Sequence, residues 1–156
     1  MQDKRTFPDI SEKGVYCLIF KNGSHVLDAG RLKSIGFSKG YHVYVGSALG
    51  SGGLKRLKRH VLLSLEKNKK PRWHVDYLSV SQEFELISVV YAITDKAVEC
   101  ELSRELEFSL NYSISGFGSS DCDCSSHLFY SKKRPLTPIK DAFNVAGLKP
   151  KVAHFA

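Results

Sequence analysis

The chain has 156 residues, of which 42% are hydrophobic, and it carries a formal net charge of +7. This length suits a single domain, and the apolar fraction is sufficient to fill one core. No segment reaches the roughly 20 apolar residues of a membrane-spanning helix, and no apolar run follows the charged start. We therefore expect one cytoplasmic domain over residues 1–156 that makes no membrane contact.

The positive charge is concentrated in one part of the sequence. Between Lys55 and Arg72, eight basic residues are opposed only by Glu66, and a second basic group follows at residues 132–134. Clustered positive charge is typical of proteins that bind nucleic acid. The residues predicted to contact it are Lys55, Arg59, Lys67, Lys69, Lys70 and Arg72.

The first predicted elements are strands. "GVYCLIF" (residues 14–20) is short and apolar, and the Asn22-Gly23 pair behind it predicts a hairpin from Val15 to about Leu32. The alternating segment "YHVYVG" (residues 41–46) predicts a third strand, with His42 and Tyr44 on the same face.

A helix and two strands are expected next. Apolar residues recur at helical spacing at Leu54, Leu57, Val61 and Leu65. This spacing predicts an amphipathic helix. "WHVDYLSV" (residues 73–80) and "FELISVVYAI" (residues 84–93) are predicted as strands, the second of them central. The first would place His74 and Asp76 side by side, as a metal or catalytic pair or as a structural hydrogen-bonded pair.

The remaining elements complete an α+β fold. Thr94 and Asp95 are N-cap candidates for a helix from Lys96 to about Leu110. "LFY" (residues 128–130) is a candidate edge strand, and "PLTPIKDAF" (residues 135–143) a short helix. The sequence thus predicts a small central, mostly antiparallel sheet flanked by helices, with a core over about residues 14–130 and a C-terminal basic extension over 131–156.

The segment "CDCSSH" (residues 122–127) has two interpretations. Cys122, Cys124 and His127 are three candidate zinc ligands, with Cys100 or His74 as a fourth. The Cys-x-Cys spacing is tighter than that of most structural zinc sites, so a loop of small residues is the favoured alternative. No structural disulfide is expected.

Four further residues form a candidate catalytic group. If the first and third strands are neighbours, Tyr16 and Tyr44 lie close together, and the following helix presents Arg56 and His60 on one face because they are four residues apart. Two phenols, a guanidinium and an imidazole suit a phosphodiester site. On periodicity alone, the two tyrosines are better explained as sheet aromatics, and Arg56 and His60 as residues of a solvated helix face.

These residues resemble the motifs of the GIY-YIG nuclease superfamily. "GVY" (residues 14–16), "YVG" (44–46), "GLKRLKRH" (53–60) and "AVECELSREL" (97–106) occur in the order of that family's motifs. The longer segments "YHVYVGSALGSGGLKRLKRH", "RWHVDYL" and "GFGSSDCDCSSHLFY" resemble an archaeal and bacterial branch sometimes fused to endonuclease III. The hairpin between the first two motifs is an addition to the usual pattern.

The resemblance implies a metal-dependent endonuclease that acts on DNA rather than RNA, in repair and with an unidentified protein partner. It implies that Tyr16, made more acidic by nearby cations or metal-bound water, is the general base, and that Tyr44 hydrogen-bonds the phosphate or the water. Arg56 would stabilise the transition state, and His60 would position or relay a proton. Glu99, or alternatively Glu101, would bind one Mg²⁺ or Mn²⁺.

Two rival functions remain open on the sequence. The first is a non-catalytic nucleic-acid-binding module with the same fold, since fold does not settle activity. The second is a zinc-stabilised adaptor in a repair complex. The two glutamates would then only pair with nearby basic residues such as Arg104.

Overall fold

The computed structural model of the chain describes residues 7–30, 32–110, 112–114 and 126–155. Within them the strands are β1 (Gly14–Asn22), β2 (His25–Ala29), β3 (Leu32–Phe37), β4 (Gly40–Ala48), β5 (Phe84–Ile93), β6 (Leu128–Ser131) and β7 (Lys151–His154). The helices are α1 (Lys55–Glu66), α2 (His74–Val80), α3 (Glu99–Leu110) and α4 (Leu136–Val145). The predicted α+β class is therefore confirmed.

A five-stranded antiparallel sheet forms the centre of the fold. Its strands lie in the order β6-β4-β1-β5-β7, while β2 and β3 form a separate two-stranded sheet. Strand β1 is buried along almost its whole length, because it pairs with β4 on one side and β5 on the other. Its apolar sequence is what a strand covered on both faces requires.

The sheet separates two hydrophobic cores. On one face Tyr16 and Leu18 of β1 pack with apolar residues of α1 and α2. On the other face Val15 and Cys17 of β1 pack with apolar residues of α3 and α4. Alternate residues of one strand thus supply both cores, as the period of two requires.

The predicted hairpin at Asn22-Gly23 is wrong. Strand β1 pairs with β4 and β5 and not with β2, while β2 pairs with β3. The Asn22 side chain is used differently: its Nδ2 donates to the Ser38 carbonyl at 3.0 Å, and its Oδ1 accepts from Nδ1 of His42 at 2.7 Å. The extra hairpin nevertheless exists, as β2 and β3.

The predicted strand at "WHVDYLSV" is also wrong, because residues 74–80 form helix α2. The Asp76 carboxylate accepts hydrogen bonds from the backbone N–H groups of Arg72 and Trp73, which caps the start of this helix. The segment alternates in polarity, but Val75 and Leu78 are three residues apart and both are buried against the sheet. The spacing of these buried residues therefore favours a helix over the strand that the alternating polarity predicts.

Two further boundaries differ from expectation. Helix α3 begins at Glu99 rather than Lys96, although Thr94 Oγ1 does accept a hydrogen bond from the Lys96 N–H group. The segment predicted as a basic extension forms α4, which packs into the second core, and β7, which pairs with β5. Among the described residues, no helix is long and apolar enough to cross a membrane.

Candidate active site

Tyr16 and Tyr44 lie on neighbouring strands and on the same face of the sheet. The register of β1 and β4 places Tyr16 opposite Gly46, two residues beyond Tyr44. A Cβ atom added to Gly46 would lie 2.5 Å from Cζ of Tyr16. Gly46 is therefore required because the Tyr16 ring occupies the space where a side chain would be.

Helix α1 brings Arg56 and His60 to this face. The His60 ring is buried, with its centroid 5.6 Å from that of Tyr16. Nη1 of Arg56 donates to the Ser47 carbonyl at 3.2 Å, which fixes the guanidinium at the end of β4. The structure thus places the predicted tyrosine, arginine and histidine next to one another.

The pKa of Tyr16 is shifted in the direction opposite to the one expected. Burial raises it well above its ordinary value and the neighbouring Tyr44 raises it further, whereas Arg56 lowers it. The burial effect outweighs the guanidinium, because a phenolate is costly in an apolar environment. Tyr16 is therefore protonated at neutral pH in this structure.

His60 is neutral at the same pH. Burial lowers its pKa to about 4, and the positive charges of Arg59 and Arg56 add to this effect, while Asp76 opposes it. Its Nδ1 lies 3.7 Å from Oδ1 of Asp76 and has no hydrogen-bond partner among the described residues. A neutral imidazole in this position is able to accept a proton.

Asp76 is a component of the site that the sequence located but misassigned. It is fully buried, and its carboxylate accepts two hydrogen bonds from Arg59, at 3.0 and 3.4 Å. Burial raises the pKa of Asp76, but these bonds and those from the α2 backbone outweigh burial, so the net pKa lies below its ordinary value. Asp76 thus joins α1 to α2 below the site.

Trp73 was not predicted to take part in the site. Its ring is 43% exposed, and the guanidinium carbons of Arg59 and Arg56 lie 4.4 and 5.3 Å from its centroid. The His60 ring is 5.7 Å away. Trp73 therefore holds both arginines by cation–π contact. An aromatic residue within a basic segment was the only sequence signal for this role.

Glu99, and not Glu101, lies towards the tyrosines. Its charge is close enough to raise the pKa of Tyr16, and its Oε1 is 2.8 Å from Nδ1 of the buried His127. Glu101, two residues further along α3, is exposed. The Glu99 side chain is 26% exposed, so water reaches part of it.

The donor set suits a hard cation that keeps most of its water. Mg²⁺ is commonly held by one or two carboxylates together with waters, and Glu99 supplies one accessible carboxylate. Within the described ranges, no three His, Cys, Asp or Glu side chains are grouped around a possible metal position. A Mg²⁺ or Mn²⁺ ion at Glu99 would therefore take its other ligands from water or substrate.

The described residues of the second predicted site have separate partners. Asp76 binds Arg59, His127 pairs with Glu99, and His74 lies partly exposed at the start of α2. Cys122 and Cys124 lie outside the described residues. The expected side-by-side placement of His74 and Asp76 on a strand is wrong, since both are on a helix.

The predicted nucleic-acid-binding residues divide into two groups. The exposed ones, which are available to a phosphate backbone, are Lys55, Lys69, Lys70 and Arg72. Lys67 instead donates to the carbonyls of Ser79, Ser81 and Phe84 at 2.7, 2.7 and 3.0 Å. Arg59 is held by Asp76. Lys67 and Arg59 thus tie the basic segment to the fold.

The chain matches one family, described as Domain of unknown function DUF123, over residues 15–148. The match includes every residue of the site described above. No curated protein and no solved structure gives a significant match.

Proposed function

This chain belongs to the DUF123 family, and we propose that it is a GIY-YIG-type, metal-dependent endonuclease that hydrolyses phosphodiester bonds in DNA. One observation supports the proposal above all others. Tyr16, Arg56, His60 and Glu99 come from three different elements, and their side chains are close enough to act on one another. Sheet packing alone does not require a guanidinium, an imidazole and a carboxylate around one phenol.

The cationic part of the site is suited to bind the phosphate. Arg56 is exposed, anchored by Ser47 and stacked near Trp73, so its donor fork is oriented before substrate arrives. A preoriented guanidinium stabilises the charge that develops as water attacks phosphorus and the bond to the leaving oxygen breaks. Tyr44 is partly exposed and lies on the same face of the sheet as Tyr16, where it would hydrogen-bond a phosphate oxygen.

The proton of the attacking water needs an acceptor. Tyr16 serves as this base only when bound cations lower its raised pKa, because a buried neutral phenol does not take up a proton. His60, 5.6 Å away between ring centroids, is the second acceptor, and it accepts the proton only when the bound phosphate raises its pKa, which burial lowers to about 4. We therefore assign base function to the Tyr16–His60 pair.

A cation held by Glu99 would complete the site. When bound, Mg²⁺ or Mn²⁺ stabilises negative charge on the leaving oxygen. His127 orients the Glu99 carboxylate through the 2.8 Å contact. The carboxylate of Glu99 is thereby kept in one position, as a metal ligand requires.

Cleavage of labelled duplex, flap, bubble and branched DNAs in Mg²⁺ or Mn²⁺ tests the proposal. Arg56→Ala should lower the rate by about 100-fold or more. Glu99→Ala should lose metal-dependent cleavage, whereas Glu101→Ala, its exposed neighbour on the same helix, should keep it. If wild type cleaves none of these DNAs, or Arg56→Ala cleaves as fast as wild type, the proposal is wrong.

The raised pKa of Tyr16 favours a second candidate, a nucleic-acid-binding module without catalysis. A permanently neutral phenol is compatible with packing, and the exposed lysines still attract phosphates. Binding that weakens with salt, together with no cleavage on any substrate, would support this candidate. Cleavage that is lost in Tyr16→Phe would exclude it.

A further inference from the structure

A cavity distinct from the candidate active site lies at the β6 edge of the sheet. It has a volume of about 650 Å³ and is lined by residues from the end of α3, the segment after it, the end of β6 and the turn before β4. This volume is in the range of pockets that bind small molecules. The residues used below are Tyr112, Tyr130 and Lys132.

Two tyrosines form an aromatic wall of the cavity. Their ring centroids are 5.8 Å apart at an angle of 75°, and Tyr112 is 64% exposed. Tyr130 is fixed, because its hydroxyl donates to the Lys39 carbonyl at 2.7 Å and its backbone N–H to the Tyr112 carbonyl at 3.0 Å. An exposed ring beside a fixed one is suited to stack against a planar ligand.

The charge around the cavity is positive. Lys132 lines it, and no acidic side chain does so among the described lining residues. Lys39 and Lys133, both exposed, flank the lining residues Ser38 and Lys132 in sequence. An aromatic wall with lysines at its rim fits a nucleobase attached to a phosphate backbone.

The cavity and the candidate active site are connected along one strand. Tyr130 pairs with His42 of β4, and Tyr16 pairs with Gly46 of the same strand, four residues further on. Four residues of strand span roughly 13 Å. This distance corresponds to about four nucleotides of a stacked strand. His42 and Tyr44 lie on the same face of β4, so the two sites are on one side of the sheet. His42 itself is buried by Phe37 and Phe84, so a bound strand would pass over these residues and not along β4 itself.

We propose that this cavity binds an unpaired nucleobase of a single-stranded segment whose backbone continues into the candidate active site. The inference deepens the proposed function, on which it rests, by naming DNA with single-stranded character as the substrate class. Tyr112 supplies the stacking surface and Lys132 contacts the adjacent phosphate. A fully paired duplex has no free base to insert and gains nothing from the cavity.

Binding measured without cleavage tests this directly. The probe is a fluorescein-labelled 12-nucleotide oligothymidylate in EDTA, compared with a duplex of the same length by fluorescence anisotropy. Tyr112→Ala should weaken single-strand binding about tenfold and leave duplex binding unchanged. Tyr112→Phe keeps the stacking ring and should bind as wild type does. Lys132→Ala should weaken single-strand binding because it removes the phosphate contact. Lys140→Ala, on the exposed side of α4, is its matched control.

Photocrosslinking gives a second readout, the position of the bound base, which does not require a comparison of affinities between variants. A 5-iodouracil base in the oligonucleotide should crosslink to Tyr112 or Tyr130, located by mass spectrometry of the digested protein. Crosslinks confined to other residues, or equal single-strand binding by Tyr112→Ala and wild type, would overturn the inference. Tyr112-dependent binding without cleavage would instead overturn only the endonuclease.

Discussion

Replacing Gly46 with alanine should destabilise the protein specifically through the Tyr16 ring. The added Cβ would lie 2.5 Å from Cζ, 2.6 Å from Oη and 2.7 Å from Cε2 of Tyr16, so the ring must move. That ring is buried and packs against His60, so its movement disturbs the surrounding core. Overpacking of this kind costs about 1–3 kcal/mol. For a domain of this size, a cost of about 2 kcal/mol lowers Tm by about 4–8 °C.

A second substitution separates this clash from other effects of the alanine. All three contacted atoms are absent from leucine, whereas phenylalanine retains Cζ and Cε2. Gly46→Ala should therefore cost about 2 kcal/mol in wild type and in Tyr16→Phe, but almost nothing in Tyr16→Leu, measured by urea unfolding.

Gly36 on β3 is the matched control position. A Cβ atom added to Gly36 would meet no other atom within 4 Å, so Gly36→Ala should be neutral or slightly stabilising. Equal costs for the alanines at positions 36 and 46, or an undiminished cost in the Tyr16→Leu background, would refute the reasoning.

Three further predictions concern buried polar groups. Asp76→Asn removes the charge that binds Arg59 and caps α2, and should cost about 2–4 kcal/mol in urea unfolding, whereas the exposed Asp95→Asn should cost almost nothing. Lys67→Met leaves three carbonyls without their donor and should lower the free energy of unfolding by about 2 kcal/mol. The exposed Lys69→Met is the control, and equal stability of the two variants would contradict the assigned contacts. Burial lowers the pKa of His42 from 6.5 to about 4, so folding favours the neutral ring. The free energy of unfolding that depends on this neutral ring is fully present above pH 6.5. It is lost as the pH falls towards 4, and the loss is about 3 kcal/mol. His42→Gln should reduce this pH dependence of the urea midpoint but not abolish it, because burial also lowers the pKa of His60 to about 4. An unchanged slope would contradict the role assigned to His42.

The elements predicted correctly are those with long and regular patterns. The helical spacing of Leu54, Leu57 and Val61 agrees with the burial of all three, Leu54 at the N-cap of α1 and the other two within it. The apolar run of β5 agrees with its interior place in the sheet. In these segments local preference and tertiary packing favour the same structure, so sequence alone is sufficient.

The errors occur where a distant residue determines the local structure. The Asn22-Gly23 pair is a strong hairpin signal, but Asn22 bonds to His42 and Ser38, which are distant in sequence. Likewise, α2 is short and depends on Asp76, whose carboxylate is held by Arg59 of α1. Neither partner is identifiable from a window of ten residues.

The proximity of the candidate site residues was predicted better than their protonation states. Tyr16, Arg56 and His60 converge as the ordered motifs predict. The direction of the Tyr16 pKa depends on how deeply the ring is buried, which spacing does not reveal. Trp73 was not predicted as a site residue, because its role depends on contacts with two arginines of α1, which are distant in sequence.

The two cores on opposite faces of the sheet divide the candidate site into parts with separate supports. Arg56 and His60 stand on α1, which packs on one face, while Glu99 stands on α3, which packs on the other. Repacking beneath α3 would shift the carboxylate and leave the arginine and histidine in place. In the proposed endonuclease, the affinity for a cation and the affinity for a phosphate would therefore be adjustable independently, by substitutions in layers that share only the central sheet.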